Sequence, residues 1–375
     1  MMDRRDAILG AAAAGGLLGF GWSDSRIGAP AAKPRRPRAD ELPARIAFGS
    51  CLKQDAPQPI WNAVNELRPD LFVFLGDNIY GDTRDPAELR RRYAQLAAQP
   101  GFRRLCAQTA VLAIWDDHDY GEDDAGAEYP AKEASRAVFC DFWNEPPSSP
   151  RRSRDGIYDA VYLQSGDRRL QIILPDLRFN RTPIRRRDLG DQSYKDWSRA
   201  LELAGKPVPG PYEPNWDPNA TMLGTAQWQW LEAELRKPAD LRILASSLQV
   251  VADFPGWEAW VNYPADRQRL LDALRRTGAA SLVCISGDTH YGELSLLNDG
   301  APYPLWDLTS SGLTEVWPVT PPNDRRIGEI VREINFGWIE IDWSNPQLPV
   351  TLQIRAADGE VRLEQRLNAA ELRAS

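Results

Sequence analysis

One arrangement of apolar and polar positions recurs along the chain: a short apolar run of strand character, then an abrupt polar cluster. Ile46-Ala47-Phe48 runs into Gly49-Ser50-Cys51, and Leu71 to Leu75 into Gly76-Asp77-Asn78. Val111 to Trp115 leads to Asp116-Asp117-His118-Asp119, Leu170 to Leu174 to Asp176, and Leu282 to Ile285 to Gly287-Asp288-Thr289-His290. Continuous apolar runs of about five residues predict strands buried on both faces, as in parallel α/β sheets. Between them, apolar residues at 60, 61, 64 and 67 predict a helix over Ile60 to Leu67, and similar patterns predict helices over Pro86 to Leu96, Ala226 to Leu235 and Asp266 to Arg276. Strand alternating with helix implies a layered α/β domain, whose ligands bind outside the carboxyl ends of the strands. Every polar cluster falls at such an end, so the clusters are expected to converge on one pocket. Trp338 to Trp343 and Val350 to Ile354 read as an antiparallel pair that finishes a second sheet.

A chain of 375 residues has room for one large domain or two small ones. Its 45 basic and 53 acidic residues give a net charge of −8, which argues against a general nucleic-acid binder. A phosphate substrate stays compatible, because bound cations can dominate the charge of a pocket. At the N-terminus, Arg4-Arg5 precedes a weakly apolar, Ala/Gly-rich stretch from Ala7 to Phe20, too short to span a bilayer but suited to a signal-peptide core. Residues 1–32 are therefore expected to be a twin-arginine-type signal, 33–44 a basic, Pro-rich linker, and 45–375 the folded domain. An exported protein that meets the translocation machinery is the corresponding expectation. Cys51, Cys106, Cys140 and Cys284 form no obvious disulfide framework, and Cys284 lies inside an apolar run as a packed core residue would.

The chemistry rests on coincidence rather than on any single cluster. An Asp at a strand end is usually a cap or turn former. Yet the chain has only two histidines, His118 and His290, and both fall in these clusters beside carboxylates. Two histidines, several aspartates, a Cys and a Tyr supply the donors of a binuclear metal site with open positions for water.

Gly76-Asp77-Asn78-Ile79-Tyr80, Trp115-Asp116-Asp117-His118-Asp119-Tyr120-Gly121 and Ser286-Gly287-Asp288-Thr289-His290 resemble, in order, the signature blocks of PhoD-type phosphatases. In that family the Asp-x-His that opens most metallophosphoesterases is replaced by Gly-Ser-Cys, here Gly49-Ser50-Cys51. Further matching blocks run from Asp176-Leu177-Arg178-Phe179-Asn180-Arg181 to Asn335-Phe336-Gly337, so the resemblance spans about Ile46 to Trp343. It implies a four-layer metallophosphatase-type sandwich, two mixed β-sheets flanked by helices. It also implies hydrolysis of phosphate mono- or diesters by metal-bound hydroxide.

By the same resemblance Asp77 would bridge two ions. Cys51 and Tyr80 would bind the first, ferric iron. Asp117, Asp288 and His290 would complete the sites, with calcium as the second ion. His118 would touch the substrate or protonate the leaving oxygen. Arg178 would clamp a phosphate oxygen, since a guanidinium matches that geometry bidentately. The larger family members carry an extra N-terminal β-domain, and the short stretch before Ile46 leads to the expectation that it is absent here. The partner expected is a small-molecule or lipid phosphate ester. A phospholipid- or nucleotide-directed phosphodiesterase, or a non-catalytic exported binding protein, are the alternatives.

Overall fold

A computed structural model describes residues 33–253, 256–318 and 321–373. Residues 1–32, where the export signal is expected, lie outside the described residues.

The chain enters through β1 (Arg45–Gly49), α1 (Ile60–Leu67), β2 (Leu71–Leu75), α2 (Pro86–Ala98), α3 (Pro100–Gln108) and β3 (Ala110–Ile114). These strands pair in parallel, Ile46 with Leu71 and Leu71 with Ala110. The runs are apolar throughout because both faces are covered, and every residue of β2 and β3 is buried. Helix α2 starts where the sequence supplies its cap: Asp85 accepts from Ala87 N at 2.9 Å and Pro86 fills the first turn.

After α4 (Asp117–Tyr120) and α5 (Lys132–Phe142) the chain builds a second sheet. Its strands are β4 (Asp159–Ser165), β5 (Arg168–Leu174), β6 (Leu241–Ala245), β7 (Leu282–Ser286), β8 (Gly292–Leu297), β9 (Leu305–Ser310) and β10 (Arg326–Val331). Their spatial order is β10-β8-β9-β7-β6-β5-β4, with β5, β6, β7 and β9 parallel. Helices α6 (Tyr194–Leu203), α7 (Gly224–Leu235) and α8 (Pro264–Thr277) lie in the crossovers. The chain then closes with β11 (Asn335–Ile341), β12 (Pro349–Ala356) and β13 (Val361–Asn368).

These last strands correct one expectation. They are antiparallel, but they extend the first sheet, in the order β13-β12-β11-β1-β2-β3. Strand β11 pairs with β1, placing Trp338 opposite Ala47 and Gly337 opposite Phe48. The reason is local: Gly337 leaves the space that the Phe48 ring fills, so β1 admits this neighbour. The result is two mixed sheets with flanking helices, the expected α/β sandwich.

The segment 33–44 is also more than a linker. Arg35 O accepts from Val111 N at 2.8 Å, Ala39 O accepts from Gln164 N at 2.8 Å, and Arg36 pairs with Glu145 at 2.7 Å and Asp159 at 2.5 Å. It is stitched to both sheets by backbone bonds and one half-buried guanidinium. All four cysteines are buried and free.

Candidate metal centre

Three turns at the carboxyl ends of β1, β2 and β3 form one wall. After β2, Gly76 has φ +98, and a Cβ there would lie 2.5 Å from the Asp116 Cβ, so only glycine lets the β2 and β3 turns approach this closely. Asp119 ties the two turns together. Its Oδ1 accepts from Asp116 N at 2.7 Å and Asp77 N at 3.2 Å, and its Oδ2 from Asn78 Nδ2 at 2.5 Å and Tyr93 Oη at 3.2 Å. The β1 turn is fastened by Leu52 N, which donates to Asp77 O at 2.8 Å.

The facing wall comes from β7 and β9 of the other sheet. Asp288 N donates to Ser50 Oγ at 3.2 Å. Ser311 Oγ accepts from His290 N at 3.0 Å and sits in hydrogen-bond contact with Cys51 Sγ at 3.0 Å. The groups expected from the sequence meet in this cleft. Oxygens of Asp77, Asp116, Asp117 and Asp288 lie within 4.8 Å of one another, and His118 joins Asp77 and Asp117 in a second grouping of three within the same distance. Cys51 Sγ is 3.3 Å from Asp77 Oδ2, and the Tyr80 ring packs against His118 at a tilt of 35°, centroids 4.2 Å apart. Neither Cys51 nor His290 enters those tight groupings among the described residues. His290 stands at the rim, half-buried, its ring 6.4 Å from that of Trp317.

Backbone strain concentrates here. Of ten described non-glycine residues with positive φ, six line this region: Cys51, Asp77, Asp82, Asp124, Asp288 and His290. L-residues avoid that conformation, and such outliers persist where surrounding structure over-determines them for a task.

The electrostatics show what the cluster lacks. Burial pushes the Asp77 carboxyl well above its ordinary range, and the Asp117 carboxylate adds to the effect. Burial raises Asp116 to about 6, with Arg178 pulling the other way. Burial, then the charges of Asp77 and Asp288, raise the Cys51 thiol, and burial, then Cys51 and Asp77, raise the Tyr80 phenol. The Tyr80 hydroxyl is buried and, among the described residues, makes no hydrogen bond of ordinary geometry; its nearest interacting groups are Cys51 and Asp77. Buried donors packed this tightly, each disfavoured as an anion by its neighbours, fit cations: a bound ion would reverse these shifts and would give the phenol a partner. Thiolate, phenolate and carboxylate together suit a transition metal better than magnesium alone.

His118 is held by its Nδ1, 2.6 Å from Asp82 Oδ1. Burial lowers its pKa, but Asp117, Asp77 and Asp82 outweigh that and hold the imidazole well above its usual value. Nε2 is the nitrogen left to exchange a proton with a bound oxygen.

Arg178 departs from its expected role. Its guanidinium is fully buried, with Nε 2.5 Å from Asp116 Oδ1 and Nη1 and Nη2 at 3.0 and 2.6 Å from the Glu258 carboxylate. With Asp117 Oδ1 a further 3.8 Å from Nη2, the fork is committed to the protein and not offered to a phosphate. Glu258 also binds Arg181, whose Nη2 reaches Asp124 O, and Asp124 N donates to Asp117 Oδ2 at 2.8 Å. The two arginines are therefore braces behind the cluster. Asp176, at the end of β5, is a turn former: its oxygens accept from the backbone of Ile157, Arg178 and Phe179.

Sequence reasoning missed Asp82, Asp119 and Glu258 as functional groups, and passed over Asp116. The last stands in the signature block beside Asp117 and could have been read there. Glu258 lies among tryptophans in a loop that gives no sign of two buried arginines nearby.

A family model described as PhoD-like phosphatase matches residues 46–318. Alkaline phosphatase D of Bacillus subtilis (strain 168) is 24% identical over 291 residues, covering 68% of this chain and 47% of that protein. The chain thus spans about half the length of this curated relative. Among solved structures, one titled as the structure of PhoD superposes with a TM-score of 0.65 at 16% identity, covering 90% of this chain and 72% of the other. A dimetal phosphatase from Danio rerio gives 0.52 at 14% identity, covering 89% and 100%. GAP50, titled as the anchor in the inner membrane complex of Plasmodium, gives 0.53 at 13% identity, covering 88% and 90%. At these identities the structural likenesses show the fold alone.

Proposed function

Since the chain belongs to the PhoD-like phosphatase family, we propose that it is a metal-dependent phosphoesterase acting on phosphate mono- or diesters. The observation that carries this reading is the grouping of Asp77, Asp116, Asp117 and Asp288 within 4.8 Å, buried where the two sheets present their strand ends. Asp77 is the residue proposed to be shared by two ions, with Cys51 and Tyr80 holding ferric iron. Asp117, Asp288 and His290 complete the donor set, and calcium is the proposed second ion. When bound, the metals supply charge neutralisation of the phosphate and acidify a water.

The remaining work falls to side chains. Asp82 fixes the His118 tautomer by accepting from Nδ1–H, so that Nε2 can deliver a proton to the departing oxygen of the ester. Arg178 is a positioning residue in this scheme: gripped by Glu258, it holds Asp116 and lies 3.8 Å from Asp117 Oδ1. For the N-terminus we propose export through the twin-arginine route, on the strength of Arg4-Arg5 and the Ala/Gly-rich stretch behind it. Replacing both arginines with lysine should retain the protein inside the cell, and unchanged secretion would overturn that assignment. The partner proposed is a small-molecule or lipid phosphate ester.

The test is hydrolysis of a chromogenic phosphomonoester and a phosphodiester by purified protein, with chelator and after re-addition of iron plus calcium. Activity abolished by chelation and restored by the two metals supports the reading, and the ratio of the two rates chooses the ester class. A metal-loaded protein that turns over neither ester rejects it.

A further inference from the structure

At the rim of the cleft three loops meet. The loop after β9 passes from the cleft floor, where Thr314 N donates to Cys51 O at 3.1 Å, to the rim, where Trp317 N donates to His290 O at 2.9 Å. The loop carrying Trp257 and Glu258 is held to the segment before α7 through Gly256 O, which accepts from Tyr212 N at 2.9 Å. There Gly210 and Gly256 pass so closely that a Cβ on Gly210 would lie 1.9 Å from Gly256 O. The third contribution is the start of α6.

From these loops projects a continuous row of aromatic rings. Trp317, next to His290, meets Trp257 at 4.5 Å between centroids; Trp257 meets Tyr194 at 5.5 Å; Tyr194 meets Trp197 at 5.8 Å. The row ends in a cation, the Arg187 guanidinium 5.5 Å above Trp197. All four rings are half-buried rather than enclosed, and α6 contains no fully buried residue. Packing a core does not explain rings left partly in water and joined edge to face, beginning beside a candidate metal ligand.

We propose that this row is a leaving-group subsite that takes a planar ring with polar edges, as in a nucleoside phosphate, with Arg187 facing an anionic or polar group at the outer end. The proposal rests on the phosphoesterase reading above and adds the class of substrate. Two features favour a planar ring over an acyl chain. Aromatic faces stack on any base, whereas a chain laid along this row would have to desolvate a guanidinium at its far end. The row starts beside His290, with Trp317 6.4 Å from its ring, so it is within reach of an ester bound at the cluster.

The experiment compares esters whose departing oxygens are chemically alike. Adenosine 5′-monophosphate and glycerol 1-phosphate both release a primary alcohol, so a difference in kcat/KM reports recognition and not leaving-group basicity. The same pair is run as methyl diesters, and binding of adenosine 5′-monophosphate to the full, metal-loaded protein is measured by calorimetry. The expected result is a preference of about tenfold for the nucleoside ester. Trp257→Leu and Trp197→Ala should reduce that preference several-fold and leave glycerol phosphate turnover unchanged. Equal kcat/KM for the two esters, or a preference that both variants keep, overturns the subsite. A short-chain phosphatidic acid preferred over both, and lost in the same variants, overturns the ring assignment in favour of an acyl chain. If no ester in either class is hydrolysed, the phosphoesterase reading fails separately. Calorimetry then decides the row: tighter binding of the nucleotide than of glycerol phosphate, weakened by Trp257→Leu, sustains it, and equal binding overturns it.

Discussion

Two groups of buried charge lie back to back in this protein, and the same interior treats them in opposite ways. Asp77, Asp116, Asp117 and Asp288 are gathered within 4.8 Å. Burial first, then their mutual charge, pushes Asp77 up. A few ångströms behind, Glu258 is just as buried, yet it is held down to about 2, because Arg178 and Arg181 more than offset the cost of burial. The first group has fewer cations than anions and the second supplies its own. Burial alone therefore does not mark a metal site. A deficit of positive charge, in residues the fold strains to bring together, does.

The largest effect should come from removing the residue on which the first group centres. Asp77→Ala is expected to lose bound metal and to cut turnover by about 10⁴-fold, equivalent to about 5.5 kcal/mol at the transition state. Metal stoichiometry of the purified variant, read beside its rate, checks this. Full activity with the normal metal content would dissolve the distinction between the two groups.

Next comes the compensated group. Glu258→Ala leaves Arg178 and Arg181 buried without a counter-charge and should cost about 3 kcal/mol of stability, measured by denaturant unfolding of the metal-free protein. The pH dependence has a definite sign. Glu258 drops from the usual 4.5 to about 2 on folding, so its stabilisation is complete above pH 4.5 and is lost as pH falls toward 2. The difference in unfolding free energy between the parent and Glu258→Gln should therefore shrink through that window. A difference independent of pH would mean that the carboxylate is not the compensating charge.

A smaller effect is expected where a carboxylate acts on the cluster through another residue. Asp82→Asn should keep the metal and lower kcat about 10- to 100-fold, because His118 loses the carboxylate charge at Nδ1 and faces an amide that can donate to Nδ1 as well as accept from it. If KM rises with kcat unchanged, Asp82 serves binding and not proton delivery.

Much of this arrangement is legible in the amino-acid sequence alone. The alternation of apolar runs and polar clusters places β1, β2, β3 and β7 within about a residue of where they lie and β5 within about two, because strands buried on both faces leave an unmistakable run. Asp77, Asp117, His118 and Asp288 are legible for the same reason, each following such a run closely. Sheet membership of β11 is not legible: an antiparallel strand of mixed polarity can add to either sheet, and the deciding contact, Phe48 over Gly337, joins residues far apart in sequence. The role of Arg178 is easily misread, because a guanidinium near a phosphate site and a guanidinium braced by a distant Glu look alike until Glu258 is placed. Asp119 is hidden by its neighbours, since in a run of three acids and a histidine nothing marks which one ties the turns together.

The smallest effect is the most specific to the comparison. In the metal-free protein the first group should be a liability. A carboxyl whose folded pKa is raised takes stability away as pH climbs from its ordinary value through the raised one, so at neutral pH Asp77 opposes folding unless a cation is bound. Asp77→Asn keeps the shape and removes the charge. The chelated variant should then unfold at a higher temperature than the chelated parent, with a gain of about 0.5–2 kcal/mol. Adding metal should reverse the ranking, because ions that bind the folded parent stabilise it by mass action and find one ligand fewer in the variant. Calorimetric melts of both proteins, with chelator and with metal, give four temperatures. A crossing of the two pairs is the outcome this account requires, while a variant less stable than the parent under chelation would mean that the Cys51 and His118 contacts of Asp77 outweigh its repulsion and that the cluster is a structural network like the one behind it.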